Sequence, residues 1–222
     1  MTKIRAKDIT LLAVSSIKIS ETILALQKSS ENMIFDNIKL VSHERPIGLP
    51  EQIKYEYCPP IKNINEYNYY IFKKLTEHID TKFCLLIQYH AYIVDYTLFN
   101  NFWLDYDYIG APWVYSNTAY ITDEGEHISV GNGGFSLRSK QLMDLPRKMG
   151  WELQERRGFY NEDGNLTVYR RREMLDLGIK YAPVEVAAKF SYENPVPENG
   201  YGTLPHFGFH RNRSRWMIKN GY

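Results

Sequence analysis

Three short stretches of the 222-residue chain hold residues whose types and spacing suit chemistry. The first, "VGNGGFSLRS" (Val130 to Ser139), places Asn132, Gly133 and Gly134 directly before an alternating run that ends in Arg138. Glycine there serves either a tight turn between strands or a surface on which a ligand approaches the main chain. The second, "NED", sets Glu162 and Asp163 side by side before an apolar-periodic segment. Two adjacent acids at a helix start are stabilised by the helix dipole by ~0.3–1 kcal/mol, so they serve either the helix or a reaction. The third, "QYHAY", sets Gln88 and His90 two residues apart, a spacing that sends both side chains to one face of a strand.

The elements that must position these residues follow from periodicity. "DITLLAVSS" reads as a buried strand ending at Ser15 and Ser16, and "SETILALQKSSE" follows as a helix with Ser20 as its N-cap. "NIKLVSH" and "EQIKYEYCPP" give two further strands, the second stopped by Pro59 and Pro60. "NEYNYYIFKKLTEHI" aligns Tyr67, Ile71, Leu75 and Ile79 on one helical face, capped by Asn65. "KFCLLIQYHAYIV" is the most apolar strand and is placed at the centre, while Glu162 and Asp163 begin a helix running to Gly178. Strands alternating with helices predict an α/β fold with a mainly parallel sheet and helices on both faces, whose ligands sit beyond the carboxyl ends of the strands.

Composition sets bounds. The length suits one substantial α/β domain over residues 1–222. With 27 Lys and Arg against 26 Asp and Glu, no overall field draws the chain to a polyanion. Cys58 and Cys84 are too few for a disulfide framework and lack metal spacing, which suits a reducing, cytoplasmic setting. No signal peptide and no membrane-spanning run is read from the sequence. The aromatics, 18 Tyr, 10 Phe and 4 Trp, serve either packing or sugar stacking.

The ordered set "DYDYIGAPW", "VGNGGFSLRS", "NEDG", "GIKYAPVEVAAKFSYE" and "FGFH" resembles a family of bacterial and viral proteins known only as a domain of unknown function. That family is grouped with nucleotide-sugar glycosyltransferases of the GT-A fold, and the resemblance spans about residues 9–210. It implies a single Rossmann-like domain: a nucleotide-sugar half over about 9–130, an acceptor and catalytic half over about 131–210, and a closing loop and basic tail over 191–222.

The resemblance also implies roles. Asp163 is the base that takes the acceptor hydroxyl's proton in an inverting transfer, with Glu162 as the alternative; such a carboxylate contributes about 10²–10⁴-fold. The donor is assigned Ser15, Ser16, Gln88, His90, Asn132, Gly133, Gly134 and Arg138, and the acceptor Asp107 and Trp113. Side chains at Gly133 or Gly134 would occupy the sugar's space. Arg138 is either an ion-pair partner or a ligand contact, and Trp113 either a platform or core. His90 and His210 are the implied metal ligands. Because His90 stands where the family carries a carboxylate, the implied Mn²⁺ or Mg²⁺ would be better matched as Mn²⁺, with His90 as a direct hydrogen-bond partner of the diphosphate, an ordinary strand-end histidine, or a metal-independent mechanism as alternatives.

The expected partners are a nucleotide-sugar donor and a saccharide or lipid-linked glycan acceptor, the latter allowing peripheral contact with a membrane. Two other functions compete: modification of DNA bases, permitted by Arg211, Arg213 and Arg215 but not by the near-neutral charge, and non-catalytic binding of a nucleotide sugar or glycan.

Overall fold

The computed structural model describes residues 3–115, 120–156 and 158–210. The strands are β1 (Ile4–Val14), β2 (Met33–Ser42), β3 (Lys54–Tyr57), β4 (Phe83–Ile87), β5 (Ala91–Ile93), β6 (Tyr108–Gly110), β7 (Phe135–Ser139), β8 (Ser191–Tyr192) and β9 (Gly208–His210). The helices are α1 (Ile19–Ser30), α2 (Ile64–Lys74), α3 (Lys140–Lys148), α4 (Glu162–Gly164), α5 (Arg171–Asp176) and α6 (Val184–Phe190). Six strands form the main sheet in the order β3-β2-β1-β4-β7-β6, and β5-β9-β8 form a small second one.

The expected mainly parallel sheet is corrected here to a mixed one. β3, β2, β1 and β4 run parallel, but β7 is antiparallel to both β4 and β6. Periodicity in the sequence reports which face a residue takes, not the direction in which a distant strand returns. β4 does lie inside the sheet, between β1 and β7.

Period-two alternation places the core on both faces. Leu11, Ala13, Leu85, Ile87, Phe135 and Leu137 pack in one cluster with Ala25 and Leu26 of α1 and Ala187 and Phe190 of α6. Leu12, Val14, Cys84 and Leu86 turn the other way, toward Ile71 and Phe72 of α2 and Leu142 and Met143 of α3. Helices therefore cover both faces, as sheets buried on both sides require.

Four local expectations shift. α1 begins after Lys18 in a left-handed conformation rather than at Ser20, and α2 is capped by Asn63, whose side chain accepts the Glu66 N–H, rather than by Asn65. The long apolar strand breaks after Ile87. A turn closed by Ala91 N–H donating to Gln88 C=O at 2.9 Å sends the next residues into the second sheet. The segment from Glu162 to Gly178 is one turn of α4, a π stretch over Asn165–Tyr169, and then α5. Gly178, at φ 82°, does close α5, as its freedom to take positive φ allows.

Leu86 is fully buried at the centre of the sheet. Leu86→Ala should cost about 2–5 kcal/mol, read as a lowered urea midpoint with an unchanged slope. A loss below ~1 kcal/mol would contradict the placement of β4 in the core.

Candidate active site

A cavity of about 620 Å³ opens beyond the carboxyl end of β4, walled by the loop before β7, α2, α4 and the chain after β8. Gln88, Trp113, Asn132, Gly133, Gly134, Glu162, Asp163 and His210 all line it, so residues spread over more than a hundred positions of sequence meet in one place. A smaller niche of about 180 Å³, formed around Ser15, Ser16 and Tyr89, shares Ile64, Tyr67 and Gln88 with it. The two therefore lie on either side of a shared wall.

The wall rests on an ion pair. Alternation in β7 turns Ser136 and Arg138 to the same side, and Arg138, fully buried, donates from Nε to Ser136 Oγ at 2.9 Å. Its Nη2 donates to Glu162 Oε1 at 2.9 Å and to Gly133 C=O at 3.3 Å. Burial opposes the Arg138 charge, but Glu162 holds its pKa above the ordinary value. Glu162 is itself 4% exposed.

Asp163 points beside this pair. Its Oδ2 accepts the Gly133 N–H at 3.0 Å and its Oδ1 the Gly164 N–H at 2.7 Å, so the side chain is fixed while each oxygen keeps a lone pair. Removal from water and the neighbouring Glu162 charge push its pKa up to about 8, against the lowering effect of those two N–H groups and Arg138.

A second chain of contacts lines the opposite wall. Asn132 Nδ2 donates to Glu193 Oε2 at 2.6 Å, and Glu193 Oε1 lies 3.2 Å from His210 Nδ1. His210 Nε2 is 3.2 Å from Gln88 Oε1, and Gln88 Nε2 donates to Tyr67 Oη at 3.4 Å. Glu193, the last residue of "SYE", is not among the expected site residues. Nothing in its local sequence marks it, since it reaches the cavity only because β8 pairs with β9.

The glycines prove to be close-packing positions. Gly133 and Gly134 are buried, neither takes positive φ, and an added Cβ at Gly133 would stand 2.7 Å from Glu162 Oε1 and 2.9 Å from Arg138 Nη2. One at Gly134 would enter the His210 ring. The expectation that side chains there would meet the sugar is thus corrected: they meet the wall first.

Other expected residues take different places. Ser16 Oγ accepts the Ile61 N–H at 2.9 Å and Ser15 Oγ donates to Ile17 C=O, so both hydroxyls serve the niche's own backbone. Trp113 lines the cavity but is 4% exposed and lies flat on Tyr120, ring centroids 3.5 Å apart, which makes it core with one edge showing. Arg138 sits behind the wall. Asp107 does not line the cavity; its carboxylate accepts the Lys180 N–H at 2.9 Å and ties β6 to the chain after α5. The basic tail with Arg211, Arg213 and Arg215 lies outside the described residues.

The proposed metal pair does not fit. His90 lies outside the cavity lining, with its ring tilted against Tyr89 and 4.7 Å from the His210 ring, and both His210 nitrogens already face Glu193 and Gln88. Among the described residues no three His, Cys, Asp or Glu side chains converge as a metal-binding group. Gln88 and His90 do not share a strand face because the turn intervenes.

The fold, an α/β domain with a mixed six-stranded sheet, is similar to that of a solved glycosyltransferase. A glycosyltransferase involved in the glycosylation of the major capsid of PBCV-1 shares it with a TM-score of 0.50, at 11% identity, over 96% of this chain and 97% of that one. The mannosyltransferase PcManGT from Pyrobaculum calidifontis, solved with GDP-Man and Mn²⁺, gives 0.40 at 10% identity, over 64% of this chain and 46% of that one, a likeness too slight to carry weight. The chain belongs to the family described as Protein of unknown function (DUF5672), which matches residues 52–210. No curated protein matches it.

Arg138→Met strands Glu162 as an uncompensated buried charge and should cost about 3–5 kcal/mol in chemical denaturation. Replacing both partners by Met should recover most of that loss. Equal destabilisation in the single and double variants would contradict the pairing. Gly134→Ala, by driving a methyl into His210, should cost about 1–3 kcal/mol, and a neutral result would show that the two do not touch.

Proposed function

We propose that this chain transfers a sugar from a nucleotide-diphosphate donor to a hydroxyl of a saccharide or lipid-linked glycan, with inversion and with Asp163 as the base. One observation carries this reading: a carboxylate with a raised pKa, held by two backbone N–H groups, lies in the wall of a cavity that shares Ile64, Tyr67 and Gln88 with an apolar niche at the end of β1. The niche, with Ile17, Ile61 and Tyr89, suits a nucleobase, and the shared rim at Tyr67 and Gln88 suits the diphosphate. The larger cavity then receives the sugar. On this reading residues 9–130 form the donor half and 131–210 the acceptor half.

The acceptor hydroxyl gives its proton to Asp163 as its oxygen attacks the anomeric carbon, and the nucleotide diphosphate departs from the opposite face. A base with a pKa near the working pH combines availability with driving force, which is what burial beside Glu162 provides. Glu162 is committed to Arg138, so it tunes Asp163 and does not replace it. The departing charge meets the Gln88 amide and the Tyr67 hydroxyl, which line both the cavity and the niche. No step is assigned to a metal, since among the described residues no three ligating side chains converge on the cavity.

Asp163→Asn should lower kcat at least ~10²-fold while donor affinity stays near that of the wild type. The wild-type kcat/KM should rise with pH as Asp163 loses its proton, half-maximal near pH 8, and that limb should vanish in the variant. Because the folded state holds this proton more tightly than the unfolded chain, the contribution of Asp163 to stability falls as pH rises from about 4 toward 8. Turnover near the wild-type level in Asp163→Asn would overturn its role.

A further inference from the structure

The inward face of α2 carries one residue that does not belong in a core. Ile71, Phe72 and Leu75 of that face are buried in the cluster shared with β1 and β4, and Asn68, one turn before Ile71 and Phe72, is buried with them at 6% exposure. An amide at such a position lowers helix propensity and costs free energy when it is taken from water without partners. Among the described residues no group hydrogen-bonds to the Asn68 side chain, and its Oδ1 and Nδ2 are not among the polar atoms wholly shut off from solvent. The little surface they keep therefore belongs to the cavity that Asn68 lines. The other amides there are occupied. Asn132 donates from Nδ2 to Glu193 and accepts the Gly134 N–H at Oδ1, while Gln88 is held between His210 and Tyr67.

We infer, building on the glycosyl-transfer reading, that Asn68 is a specificity-determining residue that binds two neighbouring hydroxyls of the transferred sugar. Tyr67 lines both the niche and the cavity, whereas Asn68, the next residue, lines the cavity alone. With the base in the niche and the diphosphate at the Tyr67 rim, the next group along the donor is its sugar. An amide suits a pair of adjacent hydroxyls, because Oδ1 accepts from one while Nδ2 donates to the other. A sugar lacking either hydroxyl leaves part of the amide unpaired in a shielded place, and a site built on hydrogen bonds discriminates in this way.

Asn68→Ala in the full-length protein tests this with two readouts. Alanine is the better helix former and removes an amide that has no partner in the free protein, so Tm should stay level or rise. Isothermal titration with UDP, UDP-glucose, GDP and GDP-mannose should show the bare nucleotide bound as in the wild type and its sugar form at least ~10-fold more weakly. Single-deoxy forms of that sugar at two neighbouring carbons should lose affinity for the wild type and not for the variant. Unchanged affinity for the nucleotide sugar, or equal weakening of nucleotide and nucleotide sugar, would overturn the inference while leaving the transfer reading in place. A fall in Tm of more than about 4 °C would also overturn it, by showing that the amide works in the free fold. Failure of all four ligands to bind the wild type would remove the transfer reading, and this inference with it.

Discussion

The buried pair between Arg138 and Glu162 is the interaction on which the site depends. Two charges removed from water survive only if they are close and hydrogen-bonded, and here the guanidinium binds a carboxylate, a hydroxyl and a backbone carbonyl at once, leaving only Arg138 Nη1 and Glu162 Oε2 of the pair without a hydrogen-bond partner. That geometry fixes three otherwise separate pieces: β7, the glycine loop before it, and the short turn of helix that carries Glu162. It also explains why the loop has no side chain at Gly133, where the pair already fills the space. Asp163, next along the chain, inherits a defined position and a perturbed proton affinity from its neighbour. The chemistry proposed for it is a by-product of how the wall is held up.

A second set of contacts complements the first. Asn132, Glu193, His210, Gln88 and Tyr67 form a continuous chain that ties the glycine loop to the second sheet and to α2. Gln88 and Asn132 are brought together by the β4–β7 pairing of the main sheet, while Glu193 and His210 join them because β9 returns to pair with both β5 and β8. The cavity is thus enclosed by two polar networks rather than by an apolar shell, with the carboxylates on its inner surface. Such a cavity favours a ligand rich in hydrogen-bond donors, and a sugar is one.

Much of this was legible in the sequence, for reasons that differ by residue. Alternation in β1, β4 and β7 and the 3.6-residue period in α1 and α2 identify faces, because burial imposes them directly. The rule that ligands gather at strand ends, together with the family-like motifs, brought Gln88, Asn132, Gly133, Gly134, Glu162, Asp163 and His210 to one cavity. Strand direction was not legible, since β7 returns antiparallel only after a long excursion from β5. The turn at Gln88 was masked by apolar residues continuing on both sides of it, so His90 seemed to belong with Gln88. Glu193 carried no local signal, because its importance arises from a strand pairing almost twenty residues away in sequence. The reading of the glycines as ligand space failed for a related reason: the side chains that fill that space, His210 and Arg138, reach it through tertiary packing.

The central claim is that the cavity beside Asp163 holds the sugar of a nucleotide sugar whose base lies in the niche at the end of β1. A crystal structure of the protein with a bound nucleotide sugar tests it most directly. The account predicts the base between Ile17, Ile61 and Tyr89, and the sugar against Gly133 and Gly134. It also predicts that an acceptor hydroxyl can be placed within about 3–3.5 Å of the anomeric carbon while reaching Asp163. Density for the nucleotide in the separate groove around Lys28, Asp36 and Lys54, with the cavity beside Asp163 open to solvent, would contradict it.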